Sequence, residues 1–159
     1  MAAAKHMQIS VRPAAAADIA ALVPLVQSYW EFEAIDGFKP SRIEALLRGF
    51  LSAPERGACW VAEADGRLCG YLLAVYVFSL EHGGVMAEID ELFVADRVRC
   101  AGAGSLLLAR AERRFVQQGI VRLQLQLGVK NGRGRVFYER HGYVPRAGFE
   151  LLDKPTRVP

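Results

Sequence analysis

The sequence predicts an α/β (α+β) domain with the element order β-α-α-β-β-β-α-β-α-β. Three patterns carry this reading. Apolar residues recur at helical spacing over residues 18–30 and 102–118. Strand-length runs rich in β-branched and aromatic residues fill residues 59–94. A strand-like run then gives way to a helix-like one across residues 94–105, with Gly102 and Gly104 between them.

The elements follow in order. Residues 8–12 alternate and predict a first strand, ended by Pro13. A helix over 18–30 places Ile19, Leu22, Val23, Val26 and Tyr29 on one face, with Asp18 at its favourable N-terminal end. Asp36-Gly37 marks a turn. Ser41-Arg42-Ile43-Glu44 has capping-box form and opens a second helix, whose apolar face holds Ile43, Leu46, Leu47 and Phe50. Residues 59–64 and 68–78 read as strands around the hairpin turn Asp65-Gly66. Gly83-Gly84 turns the chain into a strand over 86–94. A helix over 102–118 aligns Leu107, Ala111 and Phe115, and Gly119 stops it. Clean alternation over 121–129 predicts a further strand, and residues 132–140 a short helix. From Tyr143 onward the pattern predicts one or two closing strands.

The length of 159 residues suits one domain with a proper core. Residues 1–6 read as a leader or an expression scar, with a second start at Met7, and residues 7–159 as a single domain. A hydrophobic fraction of 52% and a mean hydropathy of +0.15 argue against disorder. No apolar run approaches the roughly 20 residues of a membrane span. The net charge of +3 is too mild to imply nucleic-acid binding and suits an anionic small ligand. Cys59, Cys69 and Cys100 form no CxxC pair, which points to reduced thiols and a cytoplasmic setting. Cys59 and Cys69 sit in apolar surroundings and read as buried. No metal-ligand spacing is present.

The junction at 94–105 is the most informative stretch. Glycine lets a ligand approach the backbone, and the first turn of a helix offers unpaired N–H groups and a positive dipole end. Together they make an anion site, most often for phosphate or pyrophosphate. The third glycine of a dinucleotide fingerprint is missing, and no Gly-Lys-Ser/Thr of a triphosphate loop exists. What fits is Arg-x-x-Gly-x-Gly at Arg99, Gly102 and Gly104. This resembles the pyrophosphate loop of the GNAT N-acetyltransferase superfamily. Leu92-Phe93-Val94 ends a strand five residues before Arg99, as in that family. Asn131 followed by Phe137-Tyr138-Glu139-Arg140-His141-Gly142-Tyr143 resembles its second motif, and the resemblance runs from about residue 7 to 153. The chain departs from the pattern at Cys100-Ala101, where a bulkier or basic pair is usual, and at Gly134, where alanine is common.

The resemblance implies a central mixed, mostly antiparallel sheet flanked by helices. It implies acetyl-CoA as cofactor, held by Leu92, Phe93, Val94, Arg99, Cys100, Ala101, Gly102, Ala103, Gly104, Ser105, Asn131 and Tyr138. The activity implied is acetyl transfer to a primary amine by direct attack in a ternary complex, with a small-molecule amine favoured. A protein N-terminus or lysine, or a non-catalytic acyl-CoA-binding regulatory module, stays open as an alternative. A nucleic-acid binder and a membrane protein are not expected. A homodimer through the late strands is left open.

Amine acetylation needs a base for the ammonium, polarisation of the thioester carbonyl and an acid for the departing thiolate. The resemblance gives the acid role to Tyr138, whose phenol has a pKa near 10. It gives polarisation to a backbone N–H of the Leu92–Val94 strand end. The base is one of Glu88, Asp90 and Glu91, three acids in an otherwise apolar strand. Where some ribosomal-protein acetylators carry a glutamate on the next strand, this chain has Gln126. Alternation puts Glu88 and Asp90 on a face with Leu92 and Val94, and Glu91 opposite, unless a bulge intervenes. The acids also read as ligands of a cationic substrate or as surface partners of Arg97 and Arg99. On the substrate side the resemblance points to Tyr29, Trp30, Phe32, Glu33 and Glu81, where aromatics beside carboxylates suit a cation with an apolar body. Their plainer reading is an inward-packed helix end with solvated glutamates.

Overall fold

The computed structural model describes residues 8–99 and 101–156. The predicted leader, the start at Met7 and the predicted cofactor residue Cys100 lie outside the described residues. The chain divides after Gln126 into two compact units, the second beginning at Leu127.

The first unit holds strands β1 (Ile9–Pro13), β2 (Gly57–Ala64), β3 (Arg67–Ser79), β4 (Gly84–Val94) and β5 (Leu123–Leu125), with helices α1 (Ile19–Phe32), α2 (Pro40–Leu51) and α3 (Ala103–Gln117). The strands form one sheet in the order β1-β2-β3-β4-β5. All neighbours are antiparallel except β4 and β5, which are parallel, so the sheet is mixed and mostly antiparallel as expected. Parallel neighbours require a crossover, and α3 supplies it. Asp65 (φ 51°) and Gly66 (φ 73°) both adopt left-handed backbone, the conformation a two-residue type I′ hairpin needs.

The two faces of the sheet are packed by different helices. Ile19, Leu22 and Val26 of α1 and Ile43 and Leu47 of α2 bury against Cys59, Val61, Tyr71, Leu73 and Phe93. Trp60 is out of phase with Cys59 and Val61, so it points the other way. There its ring meets Phe115 of α3 edge-on at 5.4 Å. Leu107, Leu108 and Ala111 of α3 are fully buried. Cys59 and Cys69 are buried free thiols, and burial pushes the Cys59 thiol up to about 12, which leaves it unreactive.

Beside β1, the buried carboxylate of Asp18 receives both terminal nitrogens of Arg12 at 2.8 Å and the Ala15 N–H at 2.7 Å. Arg12 also donates to Glu63 of β2 at 2.6 Å. This cluster ties the first strand to the turn that opens α1.

Three expectations are corrected. Ser41 does not cap α2: the helix starts at Pro40 with Lys39 before it and no side-chain cap, because proline at the first turn needs no N–H partner. The strand expected over 121–129 is only Leu123–Leu125, because its pairing with β4 stops at Ile89↔Leu125. No strand follows Tyr143 among the described residues.

The second unit contains α4 (Gly132–Arg140), with the predicted bounds. Asn131 caps it, Oδ1 accepting from the Gly134 N–H at 2.8 Å. Phe137 packs against the rings of Tyr138 and His141, and Tyr138 against Tyr143 at 5.5 Å.

Candidate active site

The acidic strand β4 contains one extra residue. Its register against β3 runs Glu88↔Val75 and Ile89↔Ala74, then jumps to Glu91↔Leu73. Asp90 has no partner on β3 and is a β-bulge, which inverts the side-chain parity beyond it. Leu73 and Val75 share the face covered by α1 and α2, so Glu88 and Glu91 lie on that same face. Uninterrupted alternation would have set Glu91 opposite Glu88, and the bulge overturns it. Asp90 itself remains exposed. The bulge also falls where β5 leaves: Ile89↔Leu125 is the last pair, so residues 91–94 have a β4 edge that β5 does not cover.

The three acids have different surroundings. Glu88 is held by β5 and the residue just beyond it, accepting from Gln124 Nε2 on Oε2 and from Gln126 Nε2 on Oε1 at 3.1 Å. Glu91 is half-buried between α1 and β3. Its Oε2 accepts from the Tyr71 hydroxyl at 2.7 Å and its Oε1 from the Trp30 indole N–H at 3.2 Å. Burial raises the Glu91 carboxyl above the ordinary range; the Tyr71 hydrogen bond opposes this, the Asp90 charge adds to it, and the Trp30 bond opposes it. The Asp90 carboxyl is raised too, although the residue is exposed, by the protein packed around its carboxylate and then by the charge of Glu88. Trp30 is fixed on its other side by Phe38, edge-on at 5.6 Å. Tyr71 is missing from the sequence-based set. A phenol at the head of the apolar run 71–78, which also holds Tyr76, was its only signal, since a buried tyrosine hydroxyl has to find an acceptor.

Beyond β4 the chain makes a short 3-10 turn, Asp96–Val98, anchored by buried Val98, and reaches Arg99. The Arg99 side chain bends back over the α1 face. Its Nε donates to the Val94 carbonyl at 3.1 Å, and a terminal nitrogen pairs with Asp96 at 2.7 Å. Its guanidinium lies 5.6 Å from the Phe32 ring centre and 5.7 Å from that of Phe93, within cation–π range. Arg99 therefore joins the loop to the strand end and to the end of α1.

The loop meets α3 at Gly102, with φ +89° and ψ 0°. A Cβ there would meet no atom within 4 Å, so the left-handed backbone, not crowding, calls for glycine. The first helical bond runs from the Leu106 N–H to the Gly102 carbonyl. Amides 103–105 thus have no carbonyl behind them within the helix, the arrangement that receives an anion. Ala101 and Gly102 are exposed, Gly104 and Ser105 half-buried, and Ala103 buried. First-turn amides beside the exposed Gly102, with open space where its Cβ would stand, fit the pyrophosphate of coenzyme A. The β4 edge at 91–94, which β5 does not pair, fits its amide-bearing arm.

The remaining predicted residues are placed as follows. Tyr29 packs edge-on against Phe93 at 6.3 Å, Phe32 is exposed beneath Arg99, and Glu33 follows the end of α1. Glu81 lies in the exposed turn between β3 and β4, 4.0 Å from His82. Leu92 and Val94 alternate with Glu91 and Phe93 onto the opposite face of β4. Asn131 and Tyr138 belong to the second unit. Among the described residues no cluster of His, Cys, Asp or Glu could hold a metal, and no helix is long and apolar enough to cross a membrane.

Known proteins resemble this chain in sequence and fold. Residues 20–143 match the acetyltransferase (GNAT) family. The chain is 32% identical over 143 residues to the uncharacterized N-acetyltransferase YhfO of Bacillus subtilis strain 168, covering 89% of this chain and 93% of that protein. Over 83 residues it is 34% identical to the aminoalkylphosphonate N-acetyltransferase of Salmonella typhimurium, covering 52% of this chain and 54% of that one. Its fold superposes on the aminoglycoside N-acetyltransferase AAC(6')-Iy in complex with CoA with a TM-score of 0.82, at 17% identity and covering 96% and 99% of the two chains.

Proposed function

The chain belongs to the GNAT acetyltransferase family, and from that premise we propose that it transfers the acetyl group of acetyl-CoA to the primary amine of a small molecule by direct attack in a ternary complex. The observation that carries this reading is the Asp90 bulge. It turns Glu91 onto the face of Glu88 and stands where β5 parts from β4, leaving the edge at 91–94 without a β5 partner. Two relatives named for small-molecule amines, one an aminoalkylphosphonate and the other an aminoglycoside acetyltransferase, support the acceptor class.

In this reading amides 103–105 and the backbone around Gly102 hold the pyrophosphate, and the β4 edge at 91–94, beyond the last β5 pair, holds the pantetheine arm. When bound, acetyl-CoA supplies an activated acetyl thioester. Glu91 serves the acceptor. A carboxylate has about four lone-pair sites, and two remain after Tyr71 and Trp30 have donated. Those two receive the ammonium, and the raised carboxyl makes Glu91 a better base than a solvated one. Glu88 and Asp90 add negative potential that favours a cationic acceptor. By family resemblance, Tyr138 protonates the departing thiolate.

Thiol release from acetyl-CoA tests the proposal, measured against a polyamine, an aminoglycoside, an aminoalkylphosphonate and an N-terminal peptide. Amine-dependent release with one of the first three supports it. Release with the peptide alone moves the acceptor to proteins. Tight acetyl-CoA binding without acceptor-dependent release points to a binding module.

A further inference from the structure

We infer that Tyr71 and Trp30 are positioning residues that hold Glu91 against the acceptor amine, so that the side chains behind the carboxylate set its aim and its proton affinity. The inference rests on the acetyl-transfer reading above and adds two residues that act through Glu91.

The geometry is specific. Tyr71 lies in β3, two residues from Leu73, the register partner of Glu91, and its side chain is almost wholly buried. Its ring packs on Phe93, 6.4 Å between centres, and Phe93 packs on Tyr29 of α1. The hydroxyl therefore has a fixed origin, and its 2.7 Å bond goes to the Glu91 carboxylate. The indole of Trp30 approaches from α1, fixed by Phe38, and donates to the other oxygen. A carboxylate bonded at each oxygen from different elements has lost its rotational freedom about the last side-chain bond. Donors on a carboxylate stabilise its charged form. Burial and the Asp90 charge push the other way.

The ionisable and polar groups around Glu91 come from β2, β3, β4 and α1. They are Tyr71 from β3, Cys59 from β2, Trp30 and Tyr29 from α1, and Asp90 beside it on β4; Arg99 lies over the neighbouring Phe93 ring. Cys59 and Tyr71 are both raised by burial and by the Glu91 charge, so both stay protonated at neutral pH. Tyr71 thus remains a donor throughout the range in which Glu91 titrates. Trp30, expected on the substrate side, donates its N–H to the carboxylate that would meet that substrate.

Carboxyl-carbon NMR titration of the full chain tests the hold, with the Glu91 signal identified by its loss in Glu91→Gln. Removing a hydrogen bond to a charged acceptor corresponds to about one pH unit. The Glu91 midpoint is expected to rise by about that much in Tyr71→Phe. In Trp30→Phe, which lacks the longer bond, the rise is smaller. The acid limb of kcat/KM for the best amine moves up in step. Tyr71→Phe costs no further kcat in a Glu91→Gln background, because Tyr71 acts only through that carboxylate. If Tyr71→Phe does not fold, the Trp30→Phe midpoint decides the same question. A midpoint unmoved or lowered in the folded variants overturns the inference. So do additive kcat losses in the double variant. A wild-type chain that acetylates no amine overturns the proposed function instead, and the NMR midpoints still report whether Tyr71 and Trp30 hold Glu91.

Discussion

Replacing Gly102 by alanine isolates one physical effect in the phosphate loop. The residue sits at φ +89°, and a Cβ built on it would meet no atom within 4 Å. Steric clash therefore contributes nothing, and the cost is that of forcing an L side chain into left-handed backbone, about 1–2 kcal/mol. For a chain of this size each kcal/mol lowers Tm by about 2–4 °C, so Gly102→Ala should melt about 2–8 °C below wild type. Gly102→Asn should lose less, because asparagine tolerates this conformation better. Thermal unfolding followed by circular dichroism, with and without acetyl-CoA, measures both effects. The ligand-induced rise in Tm should also shrink in the alanine variant, because relief of strain moves the first-turn amides of α3. Wild-type Tm with an undiminished ligand-induced rise would refute this account of the loop. Equal losses for alanine and asparagine would refute the role of the left-handed backbone.

Further outcomes are expected elsewhere. Arg12 holds the Asp18 carboxyl below its ordinary range, with burial opposing and the Ala15 N–H helping. Its stabilising contribution is therefore present above the unfolded value near 3.9 and is lost as pH falls through the lower folded value. Because Arg12 is partly exposed, Asp18→Asn should cost about 1–2 kcal/mol at pH 7. Unfolding curves should show that gap closing below about pH 4. Tyr138→Phe should lower kcat by about 100-fold with acetyl-CoA affinity nearly unchanged, read by stopped-time thiol release and calorimetry. Gly134→Ala would bring a Cβ to 2.9 Å from the Asn131 side chain, displacing the cap of α4. The loss should be about 1 kcal/mol by thermal unfolding.

The sequence was most legible where local chemistry decides. Asp65-Gly66 dictated its hairpin because few residue pairs accept two positive φ angles. The bounds of α4 follow from Asn131 before it and Gly142 beyond it, and α3 from the glycine loop and Gly119. Long-range pairing was less legible. Nothing in the alternation of residues 121–129 says that β4 offers only three partners, Ala87 to Ile89. The face assignment of the acids failed for a related reason. A bulge adds one residue without changing composition, so Glu88 and Glu91 could be named as candidates but not assigned to a common face. Tyr71 was hidden by its setting, because in an apolar run an aromatic reads as core. Its partner, Glu91, lies 20 residues away along the chain.

The Asp90 bulge gives β4 an unusual sensitivity to length. Glu88 and Glu91 stand three positions apart, a spacing that in a regular strand would set two side chains back to back. Deleting Asp90 would remove no ligand of Glu91, yet one half of the strand would have to roll over. Either Glu91 and Phe93 would swing toward α3 or Glu88 would leave Gln124 and Gln126. Substitutions at Asp90 change a charge, whereas a missing residue there redirects every side chain on one side of it. Insertions and deletions that surface turns absorb readily would in this strand exchange the two faces of the sheet.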